Sequence, residues 1–148
     1  MKYTLEHDFR PGDQATMRID WDRRYRLMRL HFAAELVLEL MYRKCPGIEK
    51  IGAHIAAEKA RIDFIWTQSV SLLLPALTDE AMTLIHADLP IKSDFSDLVE
   101  QRRYWEIEGF ARLPCGGTHL KRTSEVGTIR VKRDNVGKGK ERVNILLV

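Results

Sequence analysis

Two pairs of potential metal ligands stand far apart in this chain, and they constrain its fold more than any other sequence feature. His31 and Glu35 lie in an apolar, arginine-rich stretch, whereas Cys115 and His119 flank two glycines. Imidazole, thiolate and carboxylate are the groups that bind zinc in proteins, usually four around one ion. If one ion binds all four groups, the fold must bring the first stretch against the distant segment that contains the second pair.

The spacing within each pair suits a shared ion. His31 and Glu35 are four residues apart, which places both side chains on one face of a helix. Cys115 and His119 are separated by two glycines, which predict a sharp turn or a close approach to a ligand. The plainer interpretations are an ordinary His–Glu pair on a helix flank and a tight turn. The presence of both pairs together favours the metal site.

The composition is that of one folded domain with a weak positive charge. The chain has 148 residues, 45% of them hydrophobic, and a net charge of +3. This length predicts one domain, and two cysteines do not form a disulfide framework. The sequence shows no signal peptide and no apolar run near the ~20 residues of a membrane-spanning helix. We therefore expect a cytoplasmic protein without a membrane contact.

Periodicity predicts a mixture of helices and strands. Asp20 or Asp22 can cap a helix that Cys45-Pro46-Gly47 ends. Further helices are predicted from Thr78 and over residues 94–105, and strands over residues 48–55, 61–66, 91–93, 110–113, 126–132 and 142–148. The elements do not alternate as regular βαβ units. We therefore predict an α+β fold, with a long N-terminal helix packed on an antiparallel sheet and the metal in the cleft between them.

Four segments together resemble the freestanding alanyl-tRNA editing proteins, the AlaX family. These segments are residues 20–31, 114–119, 123–127 and 132–142, and residues 52–64 resemble the hairpin of the family. The most specific part of the resemblance is Cys-Gly-Gly-Thr-His followed by Thr-x-Glu-x-Gly. The Thr, Glu and Gly of the second motif more often serve turn geometry than chemistry. The resemblance covers roughly residues 18–148 and extends to the editing domains of alanyl- and threonyl-tRNA synthetases.

The resemblance implies an activity, a cofactor and a partner. Family members hydrolyse the ester that joins a wrong amino acid, serine or glycine, to alanine tRNA. Their zinc lies within His-x3-His and Cys-x3-His, which matches this chain at His31, Cys115 and His119. Thr118 is a candidate catalytic residue that supports the ester carbonyl or the terminal ribose, with a plain turn as the competing interpretation. Basic segments beside both ligand pairs are the expected tRNA contacts, through Arg26, Arg29, Lys121, Arg122, Arg133, Lys138 and Lys140.

Glu35 departs from the family, which has its second histidine at this position. A carboxylate is an acceptable zinc ligand, and its charge would weaken the metal as a Lewis acid. Alternatively, the ion keeps three ligands, and Glu35 acts as a catalytic base or holds a water. A third interpretation is that the site has lost both metal and activity.

Three functions follow from these alternatives. The first is a zinc-dependent hydrolase that deacylates mischarged tRNA in trans, with Glu35 and Thr118 as catalytic residues. The second is a non-catalytic module that binds tRNA or protein, and the third is metal-dependent hydrolysis of another aminoacyl or acyl ester. Residues 9–21 resemble the end of an N-terminal barrel in longer family members. We therefore expect residues 1–20 to be a short strand or linker remnant and residues 21–148 to form the editing-like domain, with a homodimer or a partner compensating for the barrel.

Overall fold

The computed structural model describes residues 10–148, which form an α+β fold of two helices and two antiparallel sheets. The elements are α1 (Trp21–Lys44), β1 (Glu49–Ile55), β2 (Ala60–Ile65), α2 (Leu74–His86), β3 (Lys92–Asp97), β4 (Arg102–Ile107), β5 (Ala111–Pro114), β6 (Ile129–Asn135) and β7 (Lys140–Leu147). The larger sheet has the strand order β1-β2-β7-β6, and the smaller one has the order β3-β4-β5. The predicted fold class is thereby confirmed.

The first helix begins and ends where its capping residues predict. The Asp20 side chain accepts a hydrogen bond from the backbone N–H of Arg23 at 3.0 Å, as an N-cap does. At the other end, Cys45 donates its backbone N–H to Met41, and Gly47 adopts a φ of +88°. Glycine tolerates this left-handed conformation at a helix end. The helix has 24 residues, and His31 and Glu35 lie near its middle.

Helix α1 packs its apolar face on the larger sheet. Phe32, Leu36 and Leu40 on the helix are fully buried, and Ile62 and Phe64 of β2 lie in the same core. Their alternation along β2 with more exposed residues is the pattern predicted from the sequence. Neither helix of residues 10–148 is long and apolar enough to cross a membrane.

The prediction of a helix over residues 94–105 is wrong, because this segment lies in the β3–β4 hairpin. The side chain of Asp97 accepts hydrogen bonds from the backbone N–H groups of Val99 and Glu100, which closes the turn. Gln101 completes it with a φ of +52°. Ser93 and Trp105 are register partners in this hairpin, so their side chains point to the same face of the small sheet.

Two further boundaries differ from the prediction. Helix α2 begins at Leu74, before the predicted start at Thr78, with Pro75 in its first turn where no backbone N–H is needed. Within residues 10–20 the structure has the turn after Arg10 but no strand from residue 14 onward. Residues 1–9 lie outside the described part, so the assignment of residues 1–20 to a remnant of another domain stays a prediction.

A buried threonine joins the 3-10 turn Thr123–Val126 to the end of α2. The Thr123 hydroxyl donates to the carbonyl of Leu84 at 2.7 Å and accepts from the backbone N–H of Leu89 at 2.9 Å. The side chain is fully buried. The Thr-x-Glu-x-Gly element therefore shapes the backbone after the candidate site, as the turn-forming interpretation predicts.

Replacing Thr123 by valine is expected to destabilise the protein by about 1–3 kcal/mol, because a buried N–H loses its acceptor while the side-chain shape is kept. Chemical denaturation of the two proteins measures the difference. Thr128→Val is the matched control, since Thr128 is exposed and its hydroxyl makes no hydrogen bond within residues 10–148. Equal losses in both variants would contradict a structural role for the Thr123 hydroxyl.

Candidate metal centre

Three of the four predicted ligands converge between α1 and the loop after β5. His31, Cys115 and His119 each offer one ligand atom within 4.8 Å of the others. The Sγ atom of Cys115 lies 3.7 Å from Nε2 of His31, and the two imidazole rings stack with centroids 5.3 Å apart. Ligand atoms of one tetrahedral zinc lie about 3.3–3.8 Å apart, given bonds of about 2.0–2.3 Å. The group is therefore close to the size that a zinc ion requires.

The buried surroundings of His119 also fit a metal. Its Nε2 atom is buried and has no hydrogen-bond partner among residues 10–148. Its other ring nitrogen, Nδ1, lies 3.4 Å from the hydroxyl of Ser93. Histidines that bind metals commonly present one nitrogen to the ion while a neighbour holds the other. An unpartnered buried nitrogen beside a cysteine and a second histidine is therefore suited to zinc.

Gly117 permits the loop to approach α1 this closely. A Cβ atom built on Gly117 would lie 2.3 Å from Cε1 of His31, far inside van der Waals contact. The same test at Gly116 finds open space. The two glycines thus have different roles, since only Gly117 packs against the ring of a candidate ligand.

Glu35 lies beside this group with one oxygen already engaged. Its Oε2 accepts a hydrogen bond from the indole N–H of Trp105 at 3.0 Å. Its Oε1 lies 3.5 Å from Nε2 of His31 and 3.9 Å from Sγ of Cys115. Glu35 is not one of the three residues whose ligand atoms all lie within 4.8 Å of one another. The carboxylate therefore has one oxygen free to face the candidate metal position.

The electrostatics favour a thiolate beside a charged imidazole when no metal is bound. The neighbouring imidazoles of His119 and His31 lower the pKa of the Cys115 thiol to about 6. Hydrogen bonds to Cys115 and Glu35 raise the pKa of His31 to about 9. Burial raises the pKa of Glu35, but the hydrogen bonds from His31 and Trp105 outweigh this effect and hold it below its ordinary value. The group thus contains two anions and one cation, and zinc would replace the proton of His31.

These pKa values predict a proton-linked affinity for Zn²⁺. Between pH 6 and pH 9 Cys115 is a thiolate but His31 is protonated, so binding must displace the His31 proton. The apparent affinity is expected to rise about tenfold per pH unit there, and more steeply below pH 6, where the thiol proton must also leave. Zinc titrations from pH 5 to pH 9 measure this slope. His54→Ala, which changes an exposed histidine of β1, is the control, and a flat profile would contradict the prediction.

Of the candidate ligands, His31 lines a cleft of about 210 Å³. Arg24, Leu27, Met28, His31, Ile55 and Thr118 line it. The hydroxyl of Thr118 accepts a hydrogen bond from the guanidinium of Arg24 at 2.8 Å. The cleft thus combines an apolar wall with a polar rim at the predicted ligands.

The predicted tRNA contacts divide into paired and unpaired side chains. Arg26 and Arg29 bond to the carbonyls of Ala57 and Val126, and Arg122 and Arg133 form ion pairs with Asp88 and Glu141. Lys121, Lys138 and Lys140 are exposed and form no ion pair among residues 10–148. Lys138 lines a second cavity of about 460 Å³ at the end of the β6–β7 hairpin. The lysines are therefore freer to contact a polyanion than the arginines are.

Comparison with known proteins relates the chain to tRNA editing. Residues 103–144 match the family model described as the threonyl and alanyl tRNA synthetase second additional domain. An alanyl-tRNA editing protein AlaX-M from Pyrococcus horikoshii is 32% identical over 144 residues, which cover 94% of this chain. A second, from Saccharolobus solfataricus, is 38% identical and covers 84% of it. The chain is a relative of the AlaX-type alanyl-tRNA editing proteins.

The resemblance predicted from the sequence is thereby confirmed. The chain spans 64% and 60% of the lengths of those two AlaX-M proteins, which are both longer. It also matches the alanine–tRNA ligase of Ignicoccus hospitalis with 33% identity over 150 residues, a stretch that is 16% of that ligase. The AlaX-type region is thus shared between freestanding proteins and synthetases.

Sequence reasoning missed three residues that lie at the candidate metal centre or its cleft. Trp105 lies at the end of the segment that was predicted to be a helix, whereas in the structure it donates a hydrogen bond to Glu35. Ser93 was hidden because the segment after it was predicted to be helical. Arg24 belongs to the basic stretch before His31, but was not distinguished from its neighbours. Its spacing of seven residues from His31, two turns on the same helix face, was the available signal.

Proposed function

We propose that this protein is a zinc-dependent hydrolase of mischarged aminoacyl-tRNA, removing serine or glycine from alanine tRNA in trans. The convergence of His31, Cys115 and His119, with His31 at the wall of the cleft, is the observation that carries the proposal. The names of its relatives support the substrate class. We assign the activity to residues 21–148, with residues 10–20 as a linker.

The proposed roles follow from the geometry of the site. His31, Cys115 and His119 would hold Zn²⁺, which would polarise the carbonyl of the ester as a Lewis acid. Glu35 would accept a proton from the attacking water through Oε1, while Trp105 holds the other oxygen. Coordination by Oε1 is the alternative role, since this atom lies at ligand-like distances from His31 and Cys115.

The remaining proposed contacts surround the cleft. Thr118 and the amides beside it would support the ester carbonyl or the ribose. Lys121, Lys138 and Lys140 would contact phosphates of the tRNA, because their charges are exposed and unpaired within the described residues. Arg26, Arg29, Arg122 and Arg133 would add positive potential more than direct contacts, since each is bonded within the protein.

The test compares the two cysteines. Purified wild type is expected to contain about one zinc per chain by elemental analysis and to hydrolyse serine-charged alanine tRNA faster than the alanine-charged form. Cys115→Ala is expected to lose both zinc and hydrolysis. Cys45→Ala is the control, because Cys45 is buried at the end of α1, away from the candidate ligands.

A non-catalytic binding module is the second candidate, and the position of Glu35 favours it. The carboxylate already bonds to Trp105 and lies next to His31, so the site is partly satisfied without a metal. Folded wild-type protein with neither zinc nor deacylase activity would establish this alternative.

If Glu35 only lowers the hydrolytic activity of the site, Glu35→His is expected to keep the fold and increase the hydrolytic rate.

A further inference from the structure

We propose that Arg24 binds the 5′-phosphate of the nucleotide whose ribose carries the ester, with Thr118 as its positioning residue. This inference rests on the proposed function and specifies how the cleft would hold its substrate. It concerns a residue that the sequence did not single out.

The position of Arg24 on α1 is the first argument. It precedes His31 by two helical turns, so the two residues share a helix face about 10 Å apart along the axis. Both line the same cleft. A ligand whose ester lies at His31 would therefore extend toward Arg24. In a 3′-terminal nucleotide, the next charged group beyond the ester and its ribose is the 5′-phosphate.

The charge of Arg24 is available for this contact. Its guanidinium donates one hydrogen bond to Thr118 at 2.8 Å, and no carboxylate within residues 10–148 forms an ion pair with it. A guanidinium has five N–H donors, so several remain for a ligand. The nearby Arg26 and Arg29 instead donate to backbone carbonyls. Arg24 is thus the arginine of this basic stretch that lines the cleft.

The chemistry of the cleft fits a nucleotide. Leu27, Met28 and Ile55 supply an apolar wall, against which a base or ribose can pack. Arginine recognises phosphate through two parallel N–H bonds, which a lysine cannot reproduce. The hydrogen bond from Arg24 to Thr118 fixes the guanidinium relative to the loop that carries Cys115 and His119. The phosphate and the ester would then be oriented relative to each other through this hydrogen bond.

Binding of adenosine 5′-monophosphate and of adenosine tests the inference without any hydrolysis. Wild-type protein is expected to bind the monophosphate about tenfold more tightly than adenosine, as followed by NMR titration. Arg24→Gln is expected to remove this preference, and Arg24→Lys to keep part of it. Arg23→Gln is the matched control, because the neighbouring Arg23 does not line the cleft. A phosphate preference that survives Arg24→Gln, or one that is absent from the wild type, overturns the inference.

Hydrolysis provides the second measurement. The serine esters of adenosine and of adenosine 5′-monophosphate differ only in the phosphate that Arg24 is proposed to bind. Arg24→Gln should raise KM for the phosphorylated ester several-fold more than KM for the other ester, which lacks the phosphate. Equal losses for both esters would show a general structural effect and contradict the inference. Wild-type protein that binds the monophosphate preferentially but hydrolyses no ester, including charged tRNA, would refute the proposed function and support the phosphate site.

Discussion

Replacing Gly117 by alanine is expected to lower the affinity for Zn²⁺ by about 10- to 100-fold while the fold is retained. The new methyl group would occupy the space of the His31 ring, whose Cε1 lies 2.3 Å from the Cβ position. Either the loop or the ring must shift, and both movements separate His31 from Cys115 and His119. The φ angle of Gly117 is not in the left-handed region, so the effect arises from space and not from backbone strain.

Gly116→Ala is the matched control for this experiment. Its Cβ position has no neighbour within 4 Å, and its φ is likewise outside the left-handed region. Zinc affinity by competition with a chelating dye, together with denaturation curves of the metal-free proteins, separates loss of binding from loss of folding. If Gly117→Ala and Gly116→Ala bind zinc equally, the close contact with His31 does not shape the site.

Replacing Phe32 by alanine is expected to destabilise the protein by about 3–5 kcal/mol. Phe32 is fully buried, and its ring meets Trp105 edge-on at 5.1 Å and His119 edge-on at 5.9 Å. Removing the ring leaves a cavity between α1 and the small sheet, which neighbouring side chains fill only in part. The loss of stability should therefore include the contacts that hold Trp105 and His119 in place.

Phe95→Ala supplies the comparison for Phe32. The side chain of Phe95 lies in β3 and is 41% exposed, so its removal is expected to cost less than about 1 kcal/mol. Urea denaturation of both variants gives the free energies of unfolding. A loss at Phe32 no larger than that at Phe95 would show that the helix–sheet junction is loosely packed.

Local signals in the sequence predicted one half of the site well. Asp20 and the Cys45-Pro46-Gly47 segment determine the bounds of α1, and the four-residue spacing then places His31 and Glu35 together. The glycines between Cys115 and His119 predicted a sharp turn or a close approach to a ligand, and Gly117 lies against the ring of His31. These features depend on neighbours within a few residues, which is why they can be read without the fold.

The other half depends on tertiary pairing that no local pattern reveals. The segment 94–105 has enough charged and apolar residues to resemble a helix, but the pairing of β3 with β4 and the turn at Asp97 make it a hairpin. Trp105 could therefore not be recognised as the donor to Glu35. The ion pairs of Arg122 with Asp88 and of Arg133 with Glu141 were equally hidden. Some of the basic residues that were predicted as tRNA contacts from their charge alone are therefore already paired within the protein.

Ser93 and Trp105 are register partners in the small sheet, and each contacts a different residue of the candidate metal centre. Ser93 lies next to His119 and Trp105 donates to Glu35, from adjacent strands and on one face. A one-residue shift of β3 against β4 would turn one of these side chains away. We therefore expect the hairpin tip around Leu98 and Val99 to accept insertions freely during evolution, whereas a single deletion inside either strand would remove a site contact that lies far from it in sequence.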